Sequence, residues 1–285
     1  MTNTLPTTVG VLGGGRMGAG IAHAFLTSGS NVVVVERDDE AAAAARERVL
    51  RDVTGSVERG KVQGGIADYE AKLTVTTQQE AFADAGLVIE AVPEDFKLKV
   101  SALQSVEQHL PDDAYLATNT SSMSVDGLAE QLNRPHNFCG LHFFNPVPAS
   151  KLVEVVVGKQ TSDELKALTT QWTEGIGKTA VTVTDAPGFA SSRLGVALGL
   201  EAIRMVEEGV ASAQDIDNAM VLGYKHPIGP LALTDIVGLD VRLGIAEYLE
   251  DKLGSRFAPP QLMRDMVERG ELGRKSGKGF YTYDD

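Results

Sequence analysis

Apolar positions in the first 185 residues fall into short runs separated by amphipathic stretches, and the two alternate. Thr7–Leu12, Val32–Val35, Lys72–Thr76, Leu87–Val92, Tyr115–Thr118, Leu152–Val157 and Thr179–Thr184 are short apolar-rich runs that predict strands. Thr7–Leu12 reads as a buried strand, and the β-branched neighbours in Leu152–Val157 argue for a largely buried one. Between them, Ala19–Ser28, Glu40 to about Val57, a short piece near Gln78–Ala83 and about Asp95 to His109 predict helices. A further helix runs to about Glu174 behind a capping box at Thr161-Ser162-Asp163-Glu164. This strand–helix rhythm is that of a doubly wound α/β sheet. After the turn Asp185-Ala186-Pro187-Gly188 it stops. Leu194–Glu208, Ser212–Leu222, Pro230–Leu253 and Pro260–Arg269 read as amphipathic helices separated by Gly and Pro. The expected organisation is an α/β domain over residues 1–185 followed by an all-α domain over residues 186–285.

The first strand runs into Gly13-Gly14-Gly15-Arg16-Met17-Gly18, a helix follows, and Glu36 ends the second strand 18 positions beyond Gly18. A G-x-G-x-x-G between strand and helix, with an acid at that distance, predicts a dinucleotide site. Gly13 permits the tight turn, Gly15 lets backbone approach a diphosphate, and Gly18 lets helix and strand pack closely. The helix N-terminus supplies positive field. Glu36 would accept hydrogen bonds from the adenosine ribose and repel a 2′-phosphate, favouring NAD. Arg37 beside it pulls the other way.

A second constellation lies in Gly140–Val155. His142 ends an apolar run, Asn145-Pro146 marks a turn, and Glu154 sits inside the β-branched run that follows. A carboxylate is rarely buried without a partner, and His142 is the nearest candidate across the turn. A carboxylate-held imidazole has a set tautomer, as a general acid/base requires; a structural pair closing the loop fits the same residues. Two loops at carboxyl ends of strands add polar groups where α/β sheets bind ligands: Ala91-Val92-Pro93-Glu94, leading into a helix with Lys97 and Lys99, and Thr118-Asn119-Thr120-Ser121-Ser122.

Composition narrows the partners. The net charge of −13 disfavours nucleic acid and anionic membrane, and means an anionic ligand must be held by local groups. No run approaches the length of a membrane span. One cysteine, Cys139, excludes an intrachain disulfide framework. The N-terminus has neither the basic nor the apolar part of a signal peptide, so a cytoplasmic protein is expected.

Together GGGRMGAGIA, VIEAVPED, TNTSS, HFFNPVP, KLVEVV, DAPGF, LGYKHPIGP and GRKSGKGFY resemble the L-3-hydroxyacyl-CoA dehydrogenase family, of the 3-hydroxybutyryl-CoA dehydrogenase type, over nearly the whole chain. HFFNP followed by KLVEV is the most specific part. The resemblance implies a Rossmann-type NAD-binding domain, a helical domain for substrate and dimerisation, a homodimer, and hydride transfer between NAD and an acyl-CoA. It implies His142 as acid/base, Glu154 as its orienting partner, Ser121 on the substrate's 3-oxygen and Asn145 beside the nicotinamide. Arg16 and Met17 join the glycines in the cofactor loop, with Glu94 and Lys99 contacting cofactor or CoA. Lys275 resembles a cofactor-side lysine, and Lys61, near Arg59, is placed at CoA. One position departs: where the family usually has a substrate-contacting asparagine before Arg-Leu, this chain has Ser192. That leaves room for a sister dehydrogenase acting on a small 3-hydroxy compound without CoA, such as carnitine or a sugar acid. An inactive cofactor-binding relative is the remaining alternative.

Overall fold

The computed structural model describes residues 5–283. The chain divides into two compact units between Asp185 and Ala186. The first contains β1 (Thr8–Leu12), α1 (Arg16–Thr27), β2 (Asn31–Val35), α2 (Asp39–Glu58), α3 (Ile66–Glu70), β3 (Leu73–Thr76), β4 (Leu87–Glu90), α4 (Phe96–Glu107), β5 (Tyr115–Thr118), α5 (Val125–Ala129), β6 (Phe138–Phe143), β7 (Leu152–Val157), α6 (Asp163–Gly175) and β8 (Thr179–Thr184). Its single sheet has the order β3-β2-β1-β4-β5-β6-β7-β8. Neighbours from β3 to β6 pair in parallel, β7 runs antiparallel to β6, and β8 is parallel to β7.

The apolar runs of β1, β2, β4 and β7 form strands here because both faces of the sheet are covered there, whereas the edge strand β8 stays exposed or half-buried along its length. Val9, Val11, Val32, Val34, Leu87, Ile89, Val153 and Val155 pack with Ile21, Phe25, Val49 and Trp172 in one core. On β1, a Cβ at Gly10 would lie 2.6 Å from the Phe82 ring, so that position admits only glycine. Cys139 is fully buried, and burial pushes its thiol up to about 12, which makes it a core residue. The strand order reverses between β1 and β4, and the carboxyl ends of β1, β4, β5 and β6 share one edge. That edge beside the reversal is where such sheets bind ligands.

Local chemistry differs from the pattern in a few places. Ser162, not Thr161, caps α6, accepting from Leu165 N at 3.2 Å. Thr161 instead accepts from Gly158 N and donates to Phe138 O. Asp38 caps α2 through Ala41 N at 2.7 Å.

The second unit contains α7 (Ser191–Glu207), α8 (Ala213–Asn218), α9 (Pro230–Val237), α10 (Leu239–Leu253) and α11 (Gln261–Glu268). The expected helix Pro230–Leu253 is two helices, because Gly238 adopts φ +104°, a left-handed conformation that ends α9. The expected helix Ser212–Leu222 likewise ends early, and a π turn covers Ala219–Gly223. Two buried aspartates organise this unit. Asp217 accepts from Leu231 N, Ala232 N and the Tyr281 hydroxyl, and Asp235 accepts from Phe280 N, Tyr281 N and the Tyr283 hydroxyl. The C-terminal glycine-and-lysine loop is thereby fastened by its aromatic residues.

Candidate active site

The glycine loop has the geometry its residues require. Gly13 has φ +91° and donates to Val35 O at 2.9 Å. A Cβ at Gly18 would stand 1.8 Å from the Gly13 carbonyl oxygen, so α1 packs on the turn only with glycine there. At Gly15 a Cβ would meet nothing within 4 Å, leaving open space where a diphosphate would approach. Arg16 and Met17 belong to the first turn of α1, which starts three residues earlier than the sequence suggested and contains no acid to oppose an anion. Glu36 accepts from Gly14 N at 2.7 Å and from Arg37 N at 3.1 Å, so it is fixed at the loop's rim. Arg37 pairs with Asp38 at 2.9 Å instead of facing a 2′-phosphate alone. This cradle fits NAD.

His142 and Glu154 lie directly opposite each other in the antiparallel β6–β7 pair. In that register their Cβ atoms project to the same face, and Nδ1 stands 2.8 Å from Glu154 Oε2. Both are buried, with the Glu154 side chain 1% exposed. An ionised carboxylate only accepts, so Nδ1 carries the proton and Nε2 is the basic nitrogen. The Phe144 ring lies 4.4 Å from the imidazole, centroid to centroid, restricting its rotation. Asn145 is exposed and joined to Pro146 by a cis peptide bond.

The β4 and β5 loops are tied to this pair by a network the sequence did not reveal. Glu90 is fully buried at the end of β4 and accepts from Val92 N, Lys99 Nζ and Thr118 Oγ1, each at 2.7 Å. Lys99 corrects the expectation that it reaches cofactor or CoA. Its side chain is 1% exposed, its ammonium is held by Glu90, Glu94 and Val92 O, and it is an interior counter-ion. Glu94 stands at the loop surface as expected, but its Oε1 accepts from the Thr120 hydroxyl and from Ser121 N at 3.0 Å. It therefore shapes the backbone that presents Ser121. Asn119 Oδ1 accepts from Phe143 N at 2.8 Å, joining the β5 loop to the residue after His142. Glu90 had a visible signal, a carboxylate closing an apolar run, the same oddity that singled out Glu154.

Of the remaining expected residues, Lys61 is exposed just beyond α2. Ser192 lies in the first turn of α7. Lys275 pairs with Asp240 at 2.6 Å within the second unit.

Known proteins resemble this chain along its whole length. Residues 8–186 match the 3-hydroxyacyl-CoA dehydrogenase NAD-binding domain, and residues 188–283 match the C-terminal domain of the same family. A probable 3-hydroxybutyryl-CoA dehydrogenase of Deinococcus radiodurans is 42% identical, over 96% of this chain and 99% of the relative. A 3-hydroxybutyryl-CoA dehydrogenase of Mycobacterium tuberculosis is also 42% identical, over 96% of this chain and 98% of the relative. Among solved structures, the (S)-3-hydroxybutyryl-CoA dehydrogenase of Ralstonia eutropha superposes with a TM-score of 0.94 at 38% identity, covering 98% of this chain and all of the other. Agreement of this extent, reaching both ends of relatives of similar length, has one source: the chain belongs to the 3-hydroxyacyl-CoA dehydrogenase family.

Proposed function

We propose that the protein transfers a hydride between NAD(H) and C3 of a short 3-hydroxyacyl-CoA/3-ketoacyl-CoA pair, 3-hydroxybutyryl-CoA and acetoacetyl-CoA. The observation that carries this is the buried His142–Glu154 pair at the sheet edge that also bears the NAD loop. Bound NAD supplies the acceptor for the hydride leaving C3. His142 Nε2 takes the 3-hydroxyl proton, and the Glu154 carboxylate stabilises the imidazolium that forms. The Ser121 hydroxyl, on backbone set by Glu94, donates to the developing oxygen. In the reducing direction His142 returns the proton.

Asn145 is assigned to the nicotinamide side and Lys275 to the cofactor. The helical unit, residues 186–285, is assigned to substrate handling and homodimerisation. Its exposed Leu194, Leu222 and Tyr224, at 70%, 68% and 76% exposure, support self-association. Among the described residues no helix is long and apolar enough to cross a membrane; a cytoplasmic location is part of the proposal. Ser192, in place of the family's asparagine, favours one second reading, a sister enzyme for a 3-hydroxy compound without CoA. NADH oxidation with acetoacetyl-CoA, compared with free 3-oxo acids, tests both. Turnover confined to the thioester supports the first reading, and turnover confined to free acids replaces it with the second.

A further inference from the structure

The second unit buries a charge without a counter-charge. Arg242, on α10, is 8% exposed, and among the described residues its guanidinium forms no ion pair or hydrogen bond; Nε is buried without a partner. Burial pushes its pKa down to about 10, and no neighbouring carboxylate pulls it back, so the group is still a cation at neutral pH. A buried charge ordinarily sits against an opposite one, because desolvating it alone is costly. The surroundings offer no substitute. Val196, Leu200 and Ile203 of α7 and Met263 of α11 line an apolar space around it, and Thr234, on the same wall, gives its hydroxyl proton to Pro230 O.

The guanidinium lies against α7. A Cβ at Gly195 would stand 3.2 Å from Nη1, and one at Gly199 3.8 Å from it, so two glycines one turn apart make room for the fork. Ser192 lies three residues before Gly195, on the same helical face. Along that face Gly199 is buried, whereas Gly195 and Ser192 are half-buried, so the face opens toward Ser192. Ser192 is also where the family resemblance places a contact to substrate.

We propose that Arg242 selects substrates carrying a carboxylate, and that the substrate class is the CoA thioester of a 3-hydroxy diacid. The carboxylate is the end of the acyl chain remote from the thioester. Arginine's planar fork matches it through two parallel N–H···O bonds. Gly195 lies about 4.5 Å along the helix axis from Ser192, so a 3-oxygen held near Ser192 leaves room for a few methylenes before the fork, as in diacids of about five to six carbons. No bond is made or broken at Arg242; it is a specificity-determining residue. The inference rests on the acyl-CoA reading above. The same carboxylate chemistry has a second source, C1 of a free 3-hydroxy acid.

Initial rates with NADH and acetoacetyl-CoA, 3-oxohexanoyl-CoA, 3-oxoadipyl-CoA or free acetoacetate, in the wild type, Arg242→Met and Arg242→Lys, test this. 3-Oxohexanoyl-CoA and 3-oxoadipyl-CoA share acyl length and differ in the terminal carboxylate. The wild type should favour the diacid thioester by about 10–100-fold in kcat/KM, the range of a hydrogen bond to a charged group. Arg242→Met should bring that ratio close to one, chiefly by raising KM for the diacid thioester. Arg242→Lys keeps the charge without the fork and should fall between. Calorimetry with adipyl-CoA and hexanoyl-CoA, which lack the 3-oxygen, should show the same preference and the same loss without catalysis. A merely structural arginine would lower both rates together and leave the ratio unchanged in Arg242→Met, which would overturn the proposal. So would equal use of the two thioesters by the wild type, in which case the proposed function stands and this inference fails. A shift of Arg242→Met toward monomer with the ratio intact would give the guanidinium to a carboxylate of a second copy and also overturn it. If no thioester is turned over but acetoacetate is, with its KM raised about 10–100-fold in Arg242→Met, the proposed function fails and carboxylate recognition by Arg242 stands.

Discussion

The first unit buries two histidines, and each gives one ring nitrogen to a different kind of partner. His142 meets a carboxylate, Glu154, across a strand pair, whereas His23 meets a hydroxyl, Ser56, across two helices. A carboxylate compensates a positive ring; a hydroxyl that has already given its proton to Asp52 O does not. Burial dominates at His23 and, with Lys178, Arg59 and Lys61, outweighs Asp52 to hold its pKa below the ordinary value of 6.5. The two imidazoles therefore sit in opposite settings, one against a carboxylate and one against a neutral hydroxyl. The same division separates its buried lysines: Lys99 has Glu90 and Glu94, and Lys178, among the described residues, meets the carbonyls of Val147 and Ser150.

The strongest way to break this contrast is to remove the carboxylate's advantage. Glu154→Gln gives His142 a neutral partner like that of His23, and His142→Gln removes the base. Each should lower kcat about 10²–10⁴-fold with NAD affinity nearly unchanged. Initial rates with acetoacetyl-CoA and NADH decide it, and wild-type kcat in either variant removes the pair from the mechanism. Next in size is the lysine contrast. Lys99→Met leaves Glu90 buried without its counter-ion and should cost about 3–5 kcal/mol of stability, read by urea unfolding. A loss below about 1 kcal/mol, the range of an exposed pair, would show the pair to be dispensable.

A smaller effect sharpens what surrounds His142. Ser121→Ala should cost at least about 1 kcal/mol more in kcat/KM than Ser192→Ala, since a hydrogen bond to developing charge is worth about 1.5–3 kcal/mol. If Ser192→Ala is the more damaging, the substrate differs from the one proposed. The smallest effect belongs to His23. With its folded pKa below 6.5, the unfolded chain takes the proton first as pH falls. Its contribution to stability is therefore full above pH 6.5 and is lost as pH drops from there through the lowered folded value. In phosphate-free buffer, acid should narrow the Tm difference between the wild type and His23→Gln. A constant difference would mean that His23 does not titrate with folding.

How much of this was legible in the sequence depended on distance along the chain. The glycine loop, Glu36 and the first-unit strands are local patterns, and the structure follows them closely. His142 and Glu154 were legible because one turn separates them and each breaks an apolar run. Glu90–Lys99 was not, since Lys99 falls on an amphipathic helix whose charged positions ordinarily face solvent. Only the fold back over Glu90 turns it inward. His23 and Lys178 belong to elements far apart in sequence, so no spacing joins them. In the second unit, apolar periodicity runs unbroken through Gly238, and the left-handed φ that divides α9 from α10 leaves no trace in hydropathy.

The opposition of His142 and Glu154 within a strand pair bears on how this lineage can change length. Their contact is a property of sheet register, so one residue inserted within β6 or β7 would send one side chain to the other face of the sheet. Residues 144–151, between Phe143 and Leu152, are under a different rule. A loop absorbs an extra residue at little cost, provided Val147 and Ser150 still offer their carbonyls to Lys178. Insertions and deletions should therefore accumulate in that connection and be absent from the strands flanking it. Beyond Phe144, which packs on the His142 ring, the connection can then change length while the strand register that opposes His142 and Glu154 stays fixed.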